Sequence, residues 1–217
     1  MPLKYQKLVF FFSLGIMFIG LCTFSIISPD LRLSFGASPR EKNISDTTSF
    51  GAILPADGKS QAEVQTELEE LMKRYLTAKQ QVDMDTIGQC VSDVSHVEEK
   101  KLLAESEYVE SYDNIQCLVL DGPKEGTYRV YANYDVKIYD IDTLLPSLTA
   151  LYVTTNKDNM FQIYLGTLES DEQRYVDKLD NSTQVKGLVS TVQNRLSDVI
   201  NSDSKAKDFY EMLESVD

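Results

Sequence analysis

Few residues in this chain have the chemistry for catalysis. His96 is the sole histidine, and Cys22, Cys90 and Cys117 are the three cysteines. The cysteines form no pair at metal-ligand spacing, so a histidine- or thiolate-based centre lacks raw material. His96 closes the polar run Asp93-Val94-Ser95-His96, where a surface or capping role is the plain reading. Cys90 and Cys117 are open to two readings, a disulfide in an exported domain or two buried thiols, because a bond depends on Cα separation. Asp140 and Asp142 share one strand face, with Asp135 nearby. Calcium needs several oxygens from one tight loop, and no D-x-D-x-D-G run occurs. Asn156, Asp158 and Met160 fail that pattern at the third ligand. The carboxylates read as solvated loop groups.

Asp135, Tyr131 and Tyr139 would be acid–base candidates if their side of the chain faced inward. A general base needs burial or a charged neighbour to bring its pKa to working pH. Their surroundings argue against this. In Gly126–Asp142, GTYRVYANYDVKIYDID, the residues Tyr128, Val130, Ala132, Tyr134, Val136 and Ile138 share one parity. Alternate side chains point to opposite faces of a strand, so this is a long strand with one apolar face. That face turns towards covering helices, and Asp135 and Lys137 turn towards water. The assignment of catalytic, cofactor-binding and metal-binding residues is therefore none. Tyr108, Tyr112, Tyr131 and Tyr139 read as partly exposed strand tyrosines, suited either to a pleated surface or to protein or glycan contacts.

The elements around this strand follow from periodicity. Gln61–Val82 repeats apolar residues at Val64, Leu68, Leu71, Met72, Tyr75, Leu76 and Val82, one stripe of a long helix opened by a capping box at Ser60 and Glu63. Short helices follow over Met84–Val91 and Val97–Glu107. A strand over Tyr108–Leu120 turns at Asp121–Gly126 into the long strand. Ser147–Thr155 and Met160–Leu168 read as the last two strands, joined by the turn Asn156-Lys157-Asp158-Asn159. Helices return over Asp171–Asp180, over a stripe from Val185 to Ile200, and around Phe209–Val216. Helices first and an antiparallel meander afterwards give an α+β domain with a four-stranded sheet. The Val185–Ile200 stripe has two readings, packing on the domain or a surface for a partner or self-association.

The chain begins differently. Leu8–Ser28 is 21 residues without a charge, about the length that spans a bilayer core. Lys4 and Lys7 precede it and Arg32, Arg40 and Lys42 follow it, so charge bias alone is a near tie. The short basic head running straight into the apolar stretch is similar to an export signal, which places the N-terminus inside and the remainder outside. The apolar run exceeds that of a cleaved signal, although Phe35-Gly36-Ala37-Ser38 mimics a cleavage site. Pro29–Ser60, rich in Ser, Gly, Pro, Asp and Thr, reads as a stalk. The expected organisation is a cytoplasmic tail (1–7), a transmembrane anchor (8–28), a flexible stalk (29–60), a folded domain (61–180) and a C-terminal helical extension (181–217). Net charge is −13, and removing Lys4 and Lys7 leaves −15 on the exported part. Such a surface repels phosphate backbones, so nucleic acid is not an expected partner. Asn43-Ile44-Ser45 and Asn181-Ser182-Thr183 are glycosylation sequons of little specificity.

A family resemblance rests on four stretches: Glu107–Ile115, Gly122-Pro123 with Gly126-Thr127-Tyr128, Tyr134-Asp135-Val136-Lys137, and Ile141-Asp142-Thr143 with Pro146-Ser147-Leu148 and Leu151-Tyr152-Val153. Together with the element order they resemble the nuclear-transport-factor-two-like (cystatin-like) superfamily. Within it, they resemble a Gram-positive bacterial group of membrane-anchored extracytoplasmic proteins. The resemblance covers roughly residues 61–180 and implies a cone in which helices fill a curved sheet. Ser147 departs from the glycine that members often carry after the loop proline. No catalytic signature comes with it. The expected function is a membrane-tethered binding or scaffold module without catalysis, held by residues 8–28 and engaging a protein partner or itself. The alternative is a subunit of an envelope-spanning secretion or conjugation machine. Behind both stands a cone-pocket enzyme or small-ligand carrier.

Overall fold

The computed structural model describes residues 59–214, and the 8–28 anchor and most of the stalk lie outside the described residues. In chain order the elements are α1 (Gln61–Gln81), α2 (Met84–Cys90), a 3₁₀ turn (Val94–His96), α3 (Glu99–Ser106), β1 (Val109–Asp121), β2 (Thr127–Ile138), β3 (Leu145–Thr155), β4 (Phe161–Ile163), α4 (Ser170–Asp180), α5 (Thr183–Ser202) and α6 (Ser204–Glu214). The strands form one antiparallel sheet in the order β1-β2-β3-β4. The mixed α+β class follows from this arrangement. No helix among the described residues is long and apolar enough to cross a membrane.

Helix α1 starts where the sequence sets its cap. The Glu63 N–H donates to Ser60 Oγ at 3.3 Å, and the Ser60 N–H donates to Glu63 Oε2 at 2.7 Å. Two of the helix's orphan donors are thereby satisfied. Val64, Leu68, Leu71, Met72 and Leu76 are buried along one stripe. They meet Tyr128, Val130, Ala132, Tyr134, Val136 and Ile138, all buried, on one face of β2. The helix ends at Val82, whose φ of 55° is left-handed and whose N–H reaches back to the Ala78 and Lys79 carbonyls.

The other face of β2 departs from expectation. Arg129, Tyr131 and Asp135 are buried as well. The reason is α5, whose Val185 and Val192 form a second core with Tyr131 and Leu148. Leu118, Leu120, Ala150, Leu188 and Val189 pack around it. The Val185–Ile200 stripe thus packs on its own sheet. At its far end, Leu196 and Val199 join Ala206 and Phe209 of α6 against the main core. The α5–α6 junction is pinned to the β2–β3 connection. Thr143 Oγ1 donates to Asp203 Oδ2 at 2.6 Å, and Lys205 Nζ donates to the Asp140 carbonyl at 2.9 Å.

Two strands are shorter than their sequence patterns. β2 ends at Ile138 because the chain turns there: Asp140 has φ 66° and the Ile141 N–H returns to the Ile138 carbonyl. β4 keeps three residues of the expected Met160–Leu168. After Phe161, the chain is drawn to the end of α2. Val91 bridges Ile163 in parallel, Ser92 N–H donates to the Ile163 carbonyl at 2.8 Å, and Leu165 N–H donates to Ser92 Oγ at 3.0 Å.

Candidate ligand-binding cavity

A cavity of about 380 Å³ lies between α1, α3 and the β2 face that α1 covers. Each wall follows from one element's period. On α1 the spacing Met72, Tyr75, Leu76, Lys79 places four side chains on one helical stripe. On β2, Ala132, Tyr134 and Val136 are alternate residues of one strand face, and Thr149 and Leu151 do the same on β3. Helix α3 contributes Leu102 and Glu105, and β1 contributes Tyr112. His96, Val97, Glu98 and Lys101 also line it, with His96 and Glu98 exposed to solvent.

Most of this lining is apolar, and one polar cluster stands inside it. Lys79 Nζ donates to Glu105 Oε1 at 3.2 Å. Tyr112 donates its hydroxyl to the same carboxylate oxygen. The Lys79 ammonium also sits over the Tyr112 ring, 5.8 Å from its centroid. Tyr112 and Tyr134 meet edge to face at 5.5 Å, and Tyr134 Oη shares a hydrogen bond of 2.8 Å with Thr149 Oγ1. Among the described residues, the Tyr75 hydroxyl makes no protein hydrogen bond.

The electrostatics of the cluster hold the lysine and the phenols each in one state. Burial by itself would lower the Lys79 ammonium's pKa; neighbouring Tyr112, Glu105, Tyr75 and Tyr134 outweigh it, and the net shift is upward. Burial pushes the Tyr112 phenol well above its ordinary value, with Lys79 opposing and Glu105 reinforcing. Burial likewise raises Tyr75 and Tyr134. At neutral pH the interior therefore offers a fixed cation and neutral hydroxyls. Proton transfer is fastest from groups whose pKa lies near working pH, and these are moved away from it.

The residues weighed in sequence are scattered relative to this cavity. Asp135 and Tyr131 lie across the sheet from it. Asp135, expected in water, is 5% exposed. It accepts from Asn114 Nδ2 at 2.8 Å and Arg195 Nη2 at 2.9 Å, because α5 brings Arg195 over it. Tyr131, expected to be partly exposed, is buried and donates its hydroxyl to Asp180 Oδ1 at 2.5 Å. Lys137 is half-buried and donates to the Ile141 carbonyl. Tyr139 is exposed beyond the end of β2, and Asp140 and Asp142 are exposed in the following turn. Asn156 uses its side-chain oxygen to accept from the Asp158 and Met160 N–H groups, closing the β3–β4 turn. Cys90 and Cys117 are free thiols, the first buried and the second half-buried. Cys90 Sγ accepts from Arg74 Nε at 3.3 Å.

Periodicity marks Tyr75, Leu76 and Tyr134 as core positions and does not single out Lys79 and Glu105. A signal for Lys79 was present: it sits four residues after Tyr75 and three after Leu76, a cation on the apolar stripe of α1. Glu105 carried no comparable mark. Comparison of the chain with protein-family models, curated proteins and solved structures returned no match.

Proposed function

We propose that this chain is a membrane-tethered, extracytoplasmic binding module without catalysis, and that it binds a small molecule in the cavity between α1 and the sheet. Residues 8–28 supply the tether, and the acidic domain keeps clear of the anionic lipid surface beside it. The order of long helix, short helices and antiparallel meander fits a nuclear-transport-factor-two-like cone, in which such a cavity would be the interior. The observation that carries the reading is the Lys79–Glu105–Tyr112 cluster set within apolar walls. Small-molecule sites are apolar hollows of roughly 300–1,000 Å³ with a few convergent polar groups, and this one falls at the lower end. The shifted lysine and phenols favour holding a ligand over exchanging protons with it.

The test is to close the hollow from its wall. Ala132 is buried on β2 and lines the cavity, so Ala132→Phe puts a ring into it. A fragment library spanning neutral, anionic and cationic molecules is screened by NMR on the native chain. Hits should move the Tyr75, Tyr112 or Tyr134 resonances and vanish in a folded Ala132→Phe variant. A library without hits at these residues, or hits retained by the filled variant, would overturn the reading.

A further inference from the structure

The charges and donors that line the cavity restrict what it can hold. Four charged side chains line it, and they cancel two by two. Lys79 pairs with Glu105, and Lys101 pairs with Glu98 on α3 and its approach. No net charge is left for an ionic ligand to neutralise. An anion beside Lys79 would also sit beside Glu105, and a cation beside Glu105 would meet Lys79. Either ion would meet a like charge beside its partner or have to break a pair already made, and separating a sheltered pair is costly. Hydrogen-bond donors, by contrast, are in surplus. The ammonium has three N–H groups and gives one to Glu105 Oε1. The Tyr75 hydroxyl has no protein acceptor among the described residues. Around these donors stand Met72, Leu76, Tyr134, Val136 and Leu151.

We propose that the cavity selects an uncharged, mainly apolar ligand whose single oxygen acceptor, a carbonyl or hydroxyl, is met by Lys79 and Tyr75. The proposal rests on the reading of this cavity as a binding site and adds the chemical class of what it holds. The Lys79–Glu105 pair then acts as a charge filter: it presents donors to a neutral oxygen and leaves no room for an ion's counter-charge.

Three probes of one shape test it: 2-naphthol, 2-naphthoate and 2-naphthylmethylammonium, neutral, anionic and cationic at pH 7. They are titrated into the full chain in lipid nanodiscs, with empty discs as blank. The readout is the ¹³C-methyl signal of Met72, which lies in the cavity wall. 2-Naphthol should bind at least about tenfold more tightly than either ion, a difference of roughly 1.4 kcal/mol. Glu105→Gln is close to isosteric and leaves Lys79 without its anion. In that variant the naphthoate-to-naphthol affinity ratio should rise about tenfold or more. An ion that binds the native chain more tightly than 2-naphthol would overturn the charge assignment and leave the binding site standing. So would an unchanged ratio in a Glu105→Gln chain of native melting behaviour. Failure of all three probes to move Met72 would remove the site itself. The native-chain ranking holds whether or not the variant folds.

Discussion

Asp180 is the most heavily used carboxylate on the sheet face that α5 covers. Arg129 donates Nε to its Oδ1 at 3.0 Å and Nη2 to its Oδ2 at 2.9 Å, while Tyr131 donates its hydroxyl to Oδ1. The guanidinium also lies 5.5 Å from the Tyr131 ring centroid. A bidentate fork of this kind is geometrically demanding, and the Arg129 side chain is only 8% exposed. Asp180→Asn keeps the shape and removes the charge. It should cost about 2 kcal/mol of stability, below the full penalty of a buried pair because Asp180 itself is partly exposed. Urea denaturation reads it directly, and a cost within about 0.5 kcal/mol of zero would show the pair to be ornamental. The double change Arg129→Met with Asp180→Leu should cost less than Asp180→Asn, since both charges of this pair are then removed together.

At the scale of elements, α5 holds the second core in place with few buried residues. Gly187 lies in its first half, exposed, with nothing within 4 Å of an added Cβ. A helical glycine in open space costs backbone entropy and returns no packing. Gly187→Ala should therefore raise stability by about 0.5–1 kcal/mol, seen as a higher melting temperature without change in the cavity readouts. Removal of α5 and α6 is a different matter. A chain ending at Asp180 would expose Tyr131 and Leu148 and strip Arg195 from Asp135. It should bind a hydrophobic dye and lose cooperative melting. Loss of a partner from that truncation would report unfolding, so a point change such as Gly187→Ala is the sounder probe of this helix.

The whole molecule should show a stability plateau bounded by two sets of groups. On the acid side stand carboxylates that cap turns and helices. Glu63 is lowered by the Ser60 backbone, Asp83 by Thr86, Asp93 by Ser95, Glu172 by the Glu169 backbone and Asp203 by Thr143. A depressed folded-state pKa contributes stability that is present above the unfolded value and lost as pH falls through the folded one. Melting temperature should therefore fall below about pH 4. On the alkaline side stand Lys79 and the phenols of Tyr75, Tyr112 and Tyr134, all raised. Their contribution is complete below the unfolded pKa and disappears as pH rises through the folded one, so the second decline begins above about pH 10. Melting curves across pH check both edges. The Tyr75, Tyr112 and Tyr134 phenols, followed one by one by NMR, should ionise late and together with unfolding. Early ionisation of these three in the still-folded chain would contradict the buried cluster.

Local spacing was enough for most of the elements. The α1 stripe, its Ser60–Glu63 cap, the apolar parity of β2 and the α5 stripe are all written in residues no more than a few positions apart. Helix and strand periods act at that range, so the α+β class and the face of β2 that α1 covers were legible from the sequence. Three things were decided only in the tertiary structure. Which cover lies over the second face of β2 depends on the end of α4 and on α5 returning from some fifty to sixty residues downstream. That return buries Asp135 and Arg129, which alternation alone assigns to water. The length of β4 was settled by Ser92 competing for its backbone. The cavity cluster joins Lys79 to Glu105 across 26 positions and three elements. Sequence periodicity records which side of an element is apolar; it carries no term for what another element brings against that side. The polar groups that give this protein its candidate site meet only through that second, non-local choice.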